Sequence, residues 1–165
     1  MSGGLIPPGY VEVDFEIIRE RWNDYRLPHG VRLRARAILV RLLWPPGAQP
    51  SAEDAVLNLG IATSNILVVT APPDQCGPPS PPLPGDELAV AKRQLLQPIE
   101  AREYWNFYRL ADGRGFLKVK ANLTKAERLV GRYDGAGAPL VSIGTAIIGS
   151  KASKDEVDAE IAELG

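Results

Sequence analysis

Apolar and basic residues alternate over Arg32-Leu33-Arg34-Ala35-Arg36-Ala37, and the alternation returns over Phe116-Leu117-Lys118-Val119-Lys120-Ala121. A period of two is the signature of a strand with one face buried and the other in water. Both stretches are therefore predicted as strands with their charges on the solvent face. Residues 11–17, Val-Glu-Val-Asp-Phe-Glu-Ile, alternate in the same way and are expected to pair with the strand beyond the next turn. The turns themselves are marked by Pro28-His29-Gly30 and Ala111-Asp112-Gly113, in which glycine supplies the positive φ of a tight reversal. His29 tolerates the same left-handed geometry.

From Ile38 onward the pattern changes. Ile38-Leu39-Val40 and Leu42-Leu43-Trp44 are apolar on both faces, which predicts cover on both sides, in a barrel or against a second unit. Pro45-Pro46-Gly47 and Tyr133-Asp134-Gly135-Ala136-Gly137 then lead into further apolar strands at 57–69 and 140–148. Pro98 lacks a ladder donor and is expected at a sheet edge or a bulge. Only the C-terminus reads as a helix. There Ser153-Lys154-Asp155-Glu156 forms a capping box ahead of Val157, Ile161 and Leu164.

The chain also resembles itself. Glu20-Arg21-Trp22-Asn23-Asp24-Tyr25-Arg26-Leu27-Pro28-His29-Gly30 matches Glu103-Tyr104-Trp105-Asn106-Phe107-Tyr108-Arg109-Leu110-Ala111-Asp112-Gly113 at seven of eleven positions, 83 residues on. After a one-residue insertion the match continues at an offset of 84 through the alternating strands. The reading is an all-β chain of two homologous small barrel-like or sandwich-like repeats in a pseudo-two-fold arrangement, with a short C-terminal helix. The repeats occupy 10–73 and 94–152, a proline-rich linker 74–93 and the helix 153–165. Units of this size have marginal cores alone, so each is expected to need the other's apolar strands.

Composition narrows the function classes. Nineteen Lys+Arg against twenty Asp+Glu give a net charge of −1, so no global nucleic-acid footprint exists. One cysteine, Cys76, excludes an internal disulfide, and one cysteine with one histidine excludes a Cys/His zinc centre. No metal and no cofactor is implied. Residues 1–4 lack the basic start of a signal peptide, and the aliphatic runs are far too short to cross a bilayer, so a cytoplasmic location is expected. Thirteen Arg against six Lys, with one Met and one Cys, suit a thermophilic source and a GC-rich genome equally. Seven of the fifteen prolines fall between residues 71 and 85. That segment reads as a semi-rigid connector, with a P-x-x-P docking motif as the alternative.

The pattern E-x-W-N-x-Y-x-L-x-D-G, followed by K-x-K and Y-D-x-x-G-x-P, resembles small uncharacterised prokaryotic proteins of archaeal type that carry it once per chain. In the second half it is carried by Glu103, Trp105, Asn106, Tyr108, Leu110, Asp112, Gly113, Lys118, Lys120, Tyr133, Asp134, Gly137 and Pro139. The first half departs from it at His29 and lacks the Y-D-x-x-G-x-P turn. The resemblance implies no activity. If single-copy relatives pair as dimers, it implies that this chain is a fused version of one.

The favoured function is a non-enzymatic binding or structural β module, with a protein partner or self-association as its counterpart. The first alternative is nucleic-acid binding. Arg34 and Arg36, and equivalently Lys118 and Lys120, would contact phosphates, while Trp22, Tyr25, Trp105 and Tyr108 would stack on bases. A solvated, ion-paired face is the competing account of those charges. The second alternative is a hydrolase in which Glu20 and Glu103 meet across the pseudo-two-fold axis as acid and base. No phosphate-binding loop, dinucleotide fingerprint or nucleophilic triad is present.

Overall fold

In the computed structural model, residues 6–47 and 59–164 are described. Residues 1–4, read above for a leader, and the first two residues of the strand expected at 57–69 lie outside them. The chain is all-β with a short C-terminal helix. Among the described residues ten strands run β1 (Val11–Val13), β2 (Phe15–Arg19), β3 (Asn23–Arg26), β4 (Arg32–Trp44), β5 (Gly60–Thr70), β6 (Arg93–Leu95), β7 (Glu100–Arg102), β8 (Asn106–Leu110), β9 (Phe116–Tyr133) and β10 (Pro139–Ala152). Helix α1 spans Gly85–Val90 and α2 spans Lys154–Leu164. Among the described residues no helix is long and apolar enough to cross a membrane.

The alternating segments form strands as expected. Leu33, Ala35, Ala37 and Leu39 of β4, and Leu117, Val119 and Ala121 of β9, are buried, with the intervening Arg and Lys turned outward. Both turn motifs are short 3₁₀ turns. His29 sits at φ 66°, followed by Gly30 at 76°, and Gly113 also sits at 66°. Pro98 falls in the break between β6 and β7.

Two features differ from the expectation. Neither sheet closes into a barrel: the strands form two open, antiparallel, five-stranded sheets. The first sheet holds β1, β3, β4, β5 and β7, and the second holds β2, β6, β8, β9 and β10. The second difference concerns the first arm, expected to pair along its length within one half. Only its start does so: Val11 opposes Trp44 and Val13 opposes Leu42. After β1 the chain crosses to the other sheet, where β2 pairs with β8 (Phe15 opposite Leu110), and then returns as β3 beside β4. The second half mirrors this route. Strand β6 pairs with β9, β7 crosses to pair with β3, and β8 returns beside β9. Alternation sets which face of a strand is buried and carries no information on its partner, so the exchange left no trace in the pattern.

The exchange also builds the cores. One cluster joins Val13, Leu39, Leu42 and Trp44 to Tyr108, Leu110, Leu117 and Val119 of the second half. Another joins Tyr25, Leu27, Val31 and Leu33 to Leu96, Ala126 and Val141. A third, Phe107, Ala152 and Val157 with Ile18, Trp105 and Phe116 packed against it, seats α2 on the outer face of the second sheet. The proline-rich segment is bonded down: Gly77 N donates to Gly137 O, and Ser80 N to Tyr133 O.

Candidate functional site

Crossing strands leave a gap beside the middle of β4 and of β9, and the shared motif fills both gaps with side chains. Asn23 Nδ2 donates to Ala121 O at 3.0 Å, and Tyr104 N donates to Asn23 Oδ1 at 2.9 Å. Asn106 Nδ2 donates to Ala37 O at 3.2 Å, and Arg21 N donates to Asn106 Oδ1 at 2.9 Å. Glu20 Oε1 accepts Leu39 N at 3.1 Å and the Tyr108 hydroxyl at 2.9 Å. Glu103 Oε2 accepts Leu123 N at 2.6 Å and the Tyr25 hydroxyl at 2.8 Å. Each of these groups satisfies backbone that the departing strand leaves bare.

This accounts for four of the residues singled out as site candidates. Tyr25 and Tyr108 are 1% exposed, with their rings inside the cores and no face open to a base. Burial, reinforced by the hydrogen bond to Glu103 or Glu20, pushes both phenols well above the usual tyrosine range. Glu20 and Glu103 are not bonded to each other: each carboxylate serves its own tyrosine and its own backbone amide. Arg36 Nη2 adds a 3.4 Å contact to Glu20 Oε2, which draws Arg36 inward.

The remaining candidates lie on the two outer faces, which differ. On the first sheet, Arg102, Asp24, Arg34 and Val68 are successive cross-strand neighbours, and Glu100, Arg26, Arg32 and Thr70 form the next row. The Arg34 guanidinium lies 4.9 Å from the Trp22 ring centroid. Arg34 makes no salt bridge with a described residue, because its neighbour Asp24 gives both carboxylate oxygens to Arg32. That hydrogen bond, with the charges of Arg34 and Arg102 nearby, holds the Asp24 carboxyl below its usual range. Arg21 stacks on Tyr104 at 3.8 Å. Trp22, Arg34, Arg102, Arg21 and Tyr104, with Arg19 and the carboxylates Glu20 and Asp24, line an open groove of about 340 Å³.

On the second sheet the equivalent pair is present but covered. Lys118 Nζ lies 4.7 Å from the Trp105 centroid and Lys120 Nζ 5.6 Å from it. The positions matching Asp24 and Arg32 are Phe107 and Phe116, and Ala152 lies opposite Phe116 as Thr70 lies opposite Arg32; the three form an apolar bed on which Val157 of α2 docks. Glu156 of α2 takes Lys118 at 2.8 Å, which holds the Glu156 carboxyl below its usual range. Glu160 and Glu163 reach Arg19 at 3.0 Å, on the rim of the other groove.

Five groove residues, Arg19, Arg21, Asp24, Arg102 and Tyr104, were not visible as candidates in the sequence. Arg102 joins the face only through the β7–β3 pairing, which spans about 75 residues of chain. Among the described residues no group of three His, Cys, Asp or Glu is placed to hold a metal ion. Comparison with protein-family models, with curated proteins and with solved structures returns no match. The motif's resemblance to small prokaryotic proteins therefore carries no activity to this chain.

Proposed function

We propose that the chain is a non-enzymatic, cytoplasmic binding module whose working surface is the open face of the first sheet, and that its ligand is a phosphate-bearing chain of stackable rings, of single-stranded nucleic-acid type. The observation that carries this reading is the Trp22–Arg34 pair: an indole under a guanidinium that makes no salt bridge with a described residue, in an open groove lined by further arginines as well as by Glu20 and Asp24. Bases have π-faces that stack on aromatic rings regardless of sequence, and arginine serves both phosphate and ring. The net charge of −1 does not oppose a local site, because seven arginines (Arg19, Arg21, Arg26, Arg32, Arg34, Arg36, Arg102) stand here against five carboxylates (Glu20, Asp24, Glu100, Glu160, Glu163). We further read the two halves as an internal duplication with pseudo-two-fold symmetry, supported by the matching motif bonds, in which one face keeps the ligand and the other is sealed by α2. The hydrolase reading lacks support, since Glu20 and Glu103 already bridge tyrosine and backbone.

The test is a salt-titrated binding assay with a labelled single-stranded DNA oligonucleotide. Binding is expected to weaken as salt rises, and Trp22→Ala is expected to lower affinity by roughly tenfold or more, the worth of one stack. Arg34→Ala should reduce both affinity and salt slope. Lys118→Ala, on the covered face, should change neither. No binding by the intact chain, or binding unmoved by the Trp22 and Arg34 changes together, overturns the proposal.

A further inference from the structure

We propose that residues 77–84 form an exterior polyproline ridge that docks a partner domain carrying two adjacent aromatic-walled slots, a groove of the SH3 type. Burial along this segment has a period of three. Gly77, Ser80 and Leu83 are half-buried, while Pro78, Pro79, Pro81, Pro82 and Pro84 are exposed. A polyproline II helix has three residues per turn, so every third residue lies along one edge. Here that edge rests on the protein and all the prolines face out. The flanking backbone agrees, with Cys76 at φ −94°, ψ 158° and Pro84 at φ −55°, ψ 151°.

The seat is specific. Gly77 N donates to Gly137 O at 3.0 Å, and Ser80 N donates to Tyr133 O at 3.0 Å. Tyr133 N returns a bond to Ser80 Oγ at 2.9 Å, and Arg132 Nη2 donates to Pro81 O at 2.6 Å. A Cβ on residue 77 would stand 2.5 Å from the Tyr133 ring, so only glycine lets the segment lie flush there. The bonds turn the one spacer side chain, Ser80, inward and leave Pro78-Pro79 and Pro81-Pro82 as two outward dipeptides. Two proline-containing dipeptides separated by a single inward residue are what a pair of aromatic slots accepts. The segment carries no charge, so recognition rests on shape and apolar contact. Because the helix is already held in place, little ordering cost remains on binding. A connector needs only stiffness and places no demand on which edge faces out.

The experiment is a titration of the isotope-labelled full chain with a panel of SH3 domains that take P-x-x-P cores, followed by amide chemical shifts. The expected result is a set of shifts at the amides of Gly77, Ser80 and Leu83, the three residues of the segment that carry an N–H, and at those of Arg132 and Tyr133. The double variant Pro79→Ala, Pro82→Ala should weaken binding at least tenfold while keeping the parent circular-dichroism spectrum, with a fall of only a few degrees in melting temperature from the freer unfolded chain. A free peptide of residues 77–85 should bind no more tightly than the intact chain. The absence of shifts with every panel member, binding that survives the double variant, or a peptide that outbinds the intact chain would each overturn the proposal.

Discussion

Tyr25 and Glu103, 78 residues apart, are joined by a 2.8 Å hydrogen bond from phenol to carboxylate, and the same carboxylate oxygen holds the Leu123 amide at 2.6 Å. Tyr108 and Glu20 repeat the arrangement with Leu39. In both cases the bond ties β3 or β8 to the segment that crosses between the sheets.

These phenols make the fold sensitive to alkali. Their folded pKa values lie above the ordinary value of 10.0, so the stability they contribute is complete below that value and declines as pH climbs through and beyond it. Two of the five tyrosines should ionise only when the protein unfolds, which absorbance of tyrosinate alongside circular dichroism would detect. Tyr25→Phe and Tyr108→Phe should each lower neutral-pH stability by roughly 1.5–3 kcal/mol and flatten the alkaline decline.

The buried asparagines should be costlier to remove. Asn23→Ala orphans Ala121 O and Tyr104 N, and Asn106→Ala orphans Ala37 O and Arg21 N. Each change is expected to destabilise by roughly 2–4 kcal/mol in urea unfolding. The transition should stay single with an unchanged m-value, because both sheets contribute to each site and neither can melt first. Two separated transitions would contradict this.

Acid should loosen α2 before the sheets. The Lys118 ammonium and the Ser153 amide keep the Glu156 carboxyl below its usual value of 4.5, so the contribution is present above that value and lost as pH falls through the lowered one. Glu156→Gln should remove this acid dependence from helical circular dichroism, while Val157→Ala should weaken the helix at every pH, because it empties part of its apolar seat.

The acidic end of α2 bears on the proposed groove as well. Glu160 and Glu163 neutralise Arg19 at its rim, and Glu163 lies 3.8 Å from Arg21. Glu160→Gln with Glu163→Gln should raise oligonucleotide affinity several-fold and steepen its salt dependence, by returning two arginines to phosphate contact. The pairs are partly exposed, so stability should change little.

Much of this architecture was readable from residue order. Alternation at Arg32 and Phe116 gave strand faces because burial acts on every second side chain. The capping box at Ser153 and Glu156 is present, with Glu156 N donating to Ser153 Oγ at 3.1 Å. The repeated Glu, Asn and Tyr stood out as a motif, yet their role did not, since it depends on which backbone the crossing strand leaves unpaired. For the same reason Glu20 and Glu103 looked like a symmetric acid–base pair, and Tyr25 and Tyr108 like stacking platforms. Helix α1, set within the proline-rich connector, is six residues long and offers too little periodicity to see. The unequal faces were legible in part: Asp24 against Phe107 and Arg32 against Phe116 are mismatches in an otherwise close alignment, and they mark where one sheet stays wet and the other takes a helix.

The reciprocal crossing of β2 and β7 makes the covalent join the least of what holds the halves together. Each contributes a strand to its neighbour's sheet and side chains to its neighbour's core, so a chain cut within the proline segment is predicted to persist as two fragments that stay assembled. Expressed separately, neither piece would possess a complete sheet, and each would serve as the other's template for folding. The molecule is in this sense an obligate pair written as one polypeptide, which makes it a natural starting point for a split-protein reporter.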